Sequence, residues 1–204
     1  MTIAAILLAA GESSRMGRPK PTLPWFGTTL VEAQIDSLLS GGVDEVYVVT
    51  GKSNAEVAPV LDQLAHVHRI YNPDFASGKT TSVRSGINAL SQDVSTIVLL
   101  AVDQPRPAWV IRKVLKSHIS SGAPLTSPRF EGHGGHPLIF SGELRSELAV
   151  VTEENQGIRE VFSRHETAMN GIEFTNPIVR LDLNTPEAYE DALANYKSLT
   201  SRDE

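Results

Sequence analysis

Cysteine is absent from the 204 residues. That excludes disulfides, thiolate zinc sites and a cysteine nucleophile together. Long apolar runs are missing as well. The first one, Ile3 to Ala10, is far too short to cross a bilayer, which takes about 20 residues. No basic segment precedes it, so it does not read as a signal peptide, and the expected location is the cytoplasm. Positive charge is in the minority: 18 Lys and Arg stand against 24 Asp and Glu, a formal charge of −6. An acidic balance speaks against a nucleic-acid partner, which calls for a basic footprint; neither nucleic acid nor membrane is an expected partner. A polyanionic small molecule would have to be met by a local group of donors. No internal repeat, low-complexity tract or interdomain linker is visible. The length, with 41% hydrophobic and 21% charged residues, fits one globular domain, expected over residues 1–197 with a polar, frayed tail at 198–204.

What is present alternates. Ile3 to Ala9 is a continuous apolar run ending near Gly11, the pattern of a central parallel strand buried on both faces. Leu30, Val31, Gln34, Leu38 and Leu39 recur at helical spacing before Gly41-Gly42 stops that helix. Val46 to Val49 predicts a second buried strand. Residues 54–65 read as a helix that Pro59 shortens, Val67 to Tyr71 as a third strand, 80–90 as a helix, and Thr96 to Ala101 as a fourth buried strand. Such alternation implies right-handed βαβ units: a Rossmann-like, three-layer αβα sandwich with a mainly parallel sheet. After about residue 122 the pattern loosens. Pro137 to Phe140 and Ile178 to Leu181 read as strands, with some antiparallel or mixed pairing, and Thr185-Pro186-Glu187 opens the last helix as N-cap, N1 proline and first-turn acid.

The most informative stretch follows the first strand: Leu8-Ala9-Ala10-Gly11-Glu12-Ser13-Ser14-Arg15-Met16-Gly17-Arg18-Pro19-Lys20. Ligands of open α/β sheets bind at the carboxyl ends of strands. Small residues at 9–11 let backbone N–H groups approach a triphosphate. Arg15 offers a planar fork of donors and Lys20 a mobile point charge, both suited to phosphate oxygens. Two other phosphate loops fail on spacing. A dinucleotide fingerprint needs glycine at 13, where serine stands, and a Walker A loop needs four residues between its glycines, where Gly11 and Gly17 are separated by five. Gly78-Lys79-Thr80 imitates the end of a Walker A, but position 73 is proline and no long buried strand precedes it.

The loop resembles the L-A-A-G-x-S-x-R-M-G-x-x-K signature of the MobA-like NTP transferases, and the resemblance continues to the Thr-Pro helix. It implies the nucleotide-diphospho-sugar transferase type of fold. It implies nucleotide binding by Leu8, Ala9, Ala10, Gly11, Arg15 and Lys20, with Lys20 stabilising charge at the reacting phosphate. Asp103 ends a buried strand, where a carboxylate can hold Mg²⁺ beside a triphosphate. The family's Asp-x-Pro pattern matches Asp103 and Pro105, making Asp103, with Lys20 and Arg15, the expected catalytic set. Asp182 and Asn184 share one side of an extended chain; the family has an acidic or amide pair there that completes the metal shell, and the sequence leaves open which residue does so. Gly78 and Ser82 match an N-P-x-x-x-x-G-x-x-x-S segment that helps bind the base.

Gly135-His136-Pro137 resembles the G-H-P motif of the molybdenum cofactor cytidylyltransferase branch, which suggests acceptor contacts by His136 and Pro137. Arg159, in an N-x-G-x-R pattern, is a candidate acceptor ligand or a solvated helix arginine. The implied reaction moves CMP from CTP to molybdopterin with release of pyrophosphate; a recipient molybdoenzyme or its chaperone is a possible transient partner. Two alternatives stay open: a guanylyltransferase or other NTP transferase with a different phosphorylated acceptor, and a non-catalytic module that delivers a nucleotide cofactor. Asn184 departs from the branch, which often has Asp there, so the local negative charge is lower.

Overall fold

A computed structural model describes residues 2–200. In chain order the elements are β1 (Thr2–Ala9), β2 (Pro24–Trp25), β3 (Thr28–Thr29), α1 (Leu30–Ser40), β4 (Glu45–Thr50), α2 (Asn54–Leu61), β5 (Val67–Tyr71), α3 (Lys79–Ala89) and β6 (Val94–Ala101). Then come α4 (Ala108–Ser121), β7 (Leu125–Phe130), β8 (His133–Gly134), β9 (Leu138–Ser141), α5 (Arg145–Leu148), α6 (Ile158–Arg164), β10 (Asn170–Glu173) and α7 (Pro186–Thr200). The main sheet runs β5-β4-β1-β6-β9-β7-β10, with β8 paired to β7. β5, β4, β1 and β6 are mutually parallel, β9 runs antiparallel to both β6 and β7, and β10 is parallel to β7. The expected mainly parallel sheet with mixed pairing in its second half is what forms.

Side chains alternate across a strand, and here both faces are covered. Ala5, Leu7 and Ala9 of β1 join Val46, Val48, Val98 and Leu100 in one core against α1, α2, α4 and α7. Ala4, Ile6 and Leu8 join Tyr47, Val49, Ile97 and Leu99 in a second core against α3, α5 and α6. This is why the strand sequences are continuously apolar, and why the fold has three layers. Leu7 and Ile6 are both fully buried, each worth roughly 1.5–3 kcal/mol. An Asp at either position would place a charge in a sealed layer. Helix starts follow from local chemistry. Thr29 and Glu32 form a reciprocal capping box on α1, and Thr185 Oγ1 accepts from the Ala188 N–H at 3.2 Å at the start of α7. Pro59 has no N–H, and α2 ends at Leu61 rather than near 65.

Two expectations need correction. Ile178 to Leu181 is not a strand; Pro177–Arg180 forms a 3-10 turn. Asn176 caps it through its side chain, accepting from the Ile178 N–H at 2.9 Å, and the carbonyls of Val179 and Leu181 bond to a buried arginine instead of a neighbouring strand. Residues 198–200, expected in the polar tail, are instead the last residues of α7, and the Asn176 amide donates to the Leu199 carbonyl at 2.7 Å. Residues 201–204 lie outside the described residues. Among the described residues no helix is long and apolar enough to cross a membrane.

Candidate active site

From β1 the chain steps through β4 to β5 at one edge. It then returns by α3 to β6 on the other side of β1. The carboxyl ends of β1 and β6 therefore flank the topological switch point, where open α/β sheets bind ligands. A cavity of about 340 Å³ lies there. Leu8, Ala9, Ala10, Gly11, Lys20, Gly78, Ser82 and Asp103 all line it, so the structure brings together residues that the sequence scattered over three segments. Ser13 and Lys79 also line it.

The loop after β1 is closed by its own serine. Ser13 adopts a left-handed conformation (φ 54°), its hydroxyl accepts from the Lys20 N–H at 3.0 Å, and its carbonyl accepts from the Met16 N–H at 2.9 Å. Met16 is buried as an anchor. Arg15, beside it in the 3-10 turn Ser14–Met16, is exposed and stands outside the cavity lining.

The Lys20 ammonium donates to Asp103 Oδ2 at 2.6 Å and to Asn184 Oδ1 at 3.1 Å. Both ion-pair side chains are largely withdrawn from water, at 13% and 23% exposed. The Leu183 N–H donates to the Asp103 carbonyl at 2.8 Å; this stitches the segment before α7 to the end of β6 and delivers Asn184. Asp182 is exposed and lines neither this cavity nor the next. Of the pair left open by the sequence, only Asn184 reaches the lysine. A cation already sits between one carboxylate and one amide oxygen. That donor set suits Mg²⁺, which typically takes one or two carboxylates and completes its shell with substrate phosphates and water. Among the described residues no group of three or more His, Asp or Glu that could hold a metal ion gathers.

Behind this cluster lies a buried network that sequence analysis did not find. Arg106 is fully buried. Its guanidinium donates to the carbonyls of His136 (2.9 Å), Leu181 (2.8 Å), Val179 (2.8 Å) and Pro105 (3.0 Å). Burial lowers its pKa to about 10, against the attraction of Asp182, Tyr196 and Asp103, so it stays charged at neutral pH. Gln34 of α1 donates to the Gln104 carbonyl at 2.6 Å and accepts from the Arg106 N–H at 3.2 Å. The Gln104 side chain accepts from the Ala101 N–H at 3.3 Å, which leaves its amide nitrogen facing His136 Nδ1 at 3.1 Å. An amide nitrogen only donates, so Nδ1 accepts and the ring proton resides on Nε2. Burial, then the positive charges of Arg106 and Lys79, push the His136 pKa down to about 3. His136 is thus a neutral donor.

His136 and Arg159 line a second cavity of about 670 Å³, with Ser127 and the apolar walls of Val83, Leu138 and Phe162. Two of the three acceptor candidates therefore share one space. Pro137, joined to His136 by a cis peptide, is buried and does not line it. Gly135 has a physical reason: a Cβ there would lie 2.4 Å from the Val179 carbonyl oxygen. Ser82 Oγ, in the first cavity, accepts from the buried Asn72 amide at 3.0 Å.

A switch-point crevice with a small-residue loop and a Lys–Asp–Asn cluster defines a nucleotide-handling α/β protein of the nucleotidyltransferase class. Residues 5–168 match the family described as MobA-like NTP transferase domain, and the chain belongs to that family. Nicotine blue oxidoreductase of Paenarthrobacter nicotinovorans is 32% identical, over 91% of this chain and 93% of its own. Molybdenum cofactor cytidylyltransferase of Escherichia coli (strain K12) is 28% identical, over 97% and 98%. Among solved structures, Rv0371c from Mycobacterium tuberculosis H37Rv aligns with a TM-score of 0.80 at 25% identity, covering 95% of this chain and 99% of its own. Its complex with manganese aligns with a TM-score of 0.76 at 24% identity over the same shares.

Proposed function

We propose that this chain is a cytoplasmic cytidylyltransferase that moves CMP from CTP to molybdopterin, releasing pyrophosphate. The observation that carries the reading is Lys20, in the lining of the first cavity, held between Asp103 and Asn184. The attacking phosphate oxygen of the acceptor forms a new bond to the α-phosphorus as the bond to the bridging oxygen breaks, and pyrophosphate leaves with that electron pair. A phosphate monoester is mostly dianionic at neutral pH, its second pKa being about 6, so no proton has to be removed. What the site must supply is positive charge in a fixed place. Lys20 does so at the α-phosphate, while Arg15, exposed outside the cavity lining, would meet the outer phosphates only where they project from the cavity. Asp103 and Asn184 are the residues that would hold Mg²⁺, which when bound neutralises phosphate charge. Gly78 and Ser82 border the base, while His136 and Arg159 bind the acceptor. The 28% identity to the Escherichia coli cytidylyltransferase over nearly the whole chain supports this choice of substrates. A molybdoenzyme or its chaperone would receive the product.

A second reading, redox chemistry on the same scaffold, is favoured by the relative named Nicotine blue oxidoreductase. Hydride transfer has no use for a lysine clamped between carboxylate and amide, which argues for the first. Pyrophosphate release should be measured with each of four NTPs, with and without molybdopterin and Mg²⁺, for wild type and Asp103→Ala. The reading expects release with CTP and molybdopterin only, lost in the variant. Release with GTP moves the base assignment. Nucleotide binding without release leaves a delivery module. A change in the absorbance of nicotine blue with a redox partner present, without pyrophosphate release, establishes the redox reading.

A further inference from the structure

The two cavities have a single lining residue in common, Lys79. Nothing in the sequence motifs gives it a role. It sits in a failed Walker A imitation and at an unspecified position of the base-binding segment. Yet it is the first residue of α3, and its backbone is held from several sides. Gly78 before it has φ 120°, a conformation side chains rarely adopt. The Glu153 carboxylate, from the loop before α6, accepts from the Thr80 N–H at 2.8 Å. The Thr81 hydroxyl accepts from the Asn72 amide at 2.9 Å and lies 2.8 Å from the Gly78 carbonyl oxygen.

Lys79 makes no ion pair among the described residues. Its charge nevertheless reaches the second cavity, since it helps keep His136 neutral. The reaction requires two anions, one in each cavity, to come within bonding distance. Their repulsion is greatest at the junction, and a partnerless cation located there offsets it most directly. The second cavity pairs this charged end with the apolar walls of Val83, Leu138 and Phe162.

We propose that Lys79 is a catalytic residue whose ammonium group bridges the two cavities, binding the phosphate of an acceptor with an apolar or heteroaromatic body in the second and the nucleotide phosphate in the first. The inference rests on the nucleotidyltransferase reading for its chemistry, but its contacts can be tested separately. Two probes suffice on the full chain: pyrophosphate with Mg²⁺ for the first cavity and phenyl phosphate for the second, each titrated calorimetrically. Lys79→Gln should weaken both probes by roughly tenfold, the loss of one charge-assisted contact to each, and Lys79→Arg should restore most of that. Lys20→Gln should weaken pyrophosphate alone, and Arg159→Gln phenyl phosphate alone. An effect of Lys79→Gln on one probe or on neither overturns the bridge, as does failure of the wild type to bind both. The expected binding pattern without pyrophosphate release from any NTP would keep the bridge and remove the transferase reading. Release with an unaltered binding pattern in Lys79→Gln would do the reverse.

Discussion

Lys20 and Asp103 lie 83 residues apart in sequence and meet at 2.6 Å. The contact joins the loop after β1 to the end of β6 across the switch point. Under the proposed function it presets the spacing between the cation that would face the phosphate and the carboxylate that would hold the metal. Both partners are largely withdrawn from water, so the cost of desolvating them offsets most of their attraction and the pair adds little net stability. Its value is in placement.

Lys20→Ala should therefore lower pyrophosphate release by about 10²–10³-fold, the usual cost of removing one preorganised donor from a developing charge. Its melting temperature should fall as well, because the Asp103 carboxylate is left unpaired and only 23% exposed, and release is compared at a temperature where both proteins are folded. Asp103→Asn should lower release by a similar factor and shift the Mg²⁺ dependence to higher concentration. Activity of Lys20→Ala within tenfold of wild type would show that this lysine is not at the reacting phosphate.

Arg106 is a different kind of cation, fully buried and bonded to four carbonyls. Arg106→Met keeps much of the volume but leaves buried oxygens without their donor. The expected loss is about 3–5 kcal/mol, or a melting temperature lower by roughly 6–20 °C in a chain of this size. Arg106→Lys keeps the charge but cannot span the fork, and should fall between. A melting temperature for Arg106→Met within 2 °C of wild type would mean that water replaces the guanidinium without loss.

His136 gives the fold a pH dependence whose sign can be worked out. Its folded pKa is lowered to about 3, while an unfolded histidine titrates near 6.5. Between those values the unfolded chain binds more protons, so the contribution is fully present above about pH 6.5 and is lost as pH falls toward 3. One group contributes at most ~1.4 kcal/mol per pH unit. Urea unfolding of wild type and His136→Gln at several pH values from 6.5 to 4 should show the steeper acid loss in the wild type. Parallel curves would show that the ring is not held neutral.

The parallel half of the fold is legible in the sequence because strands buried on both faces read as unbroken apolar runs, as in Ile3 to Ala9 and Thr96 to Ala101. The loop from Leu8 to Lys20 is equally legible, since its residue types and spacing are local. The second half is not. β7 contains Pro128 and β10 contains Gly171, so neither shows a strand pattern; they exist because β7 pairs with β10 on one side and with β9 on the other. Ile178 to Leu181 looks like a strand, but the carbonyls of Val179 and Leu181 go to Arg106, a residue that in sequence reads as one more charge in a polar loop. Lys79 was hidden for another reason. Its place depends on two cavities that meet only after α3 packs on the sheet.

Gly78 offers the sharpest separation of two physical effects. Its φ of 120° disfavours any side chain, and a Cβ would also lie 2.6 Å from Glu153 Oε1. Gly78→Ala should thus be destabilising, by about 1–3 kcal/mol from backbone strain alone, and by more where the carboxylate is driven off the Thr80 N–H. Nucleotide affinity should fall with it, because Gly78 lines the first cavity and sets the position of Lys79. Glu153→Ala removes the clash and the cap but leaves the φ requirement. In that background the cost of Gly78→Ala should shrink to the backbone term, measured as a double-mutant cycle by urea unfolding. An equal cost in both backgrounds would assign the whole effect to backbone conformation and show that the Glu153 side chain yields freely. A cost near zero with Glu153 removed would assign it to the contact alone, and the loop before α6 would then be what holds the start of α3 in place.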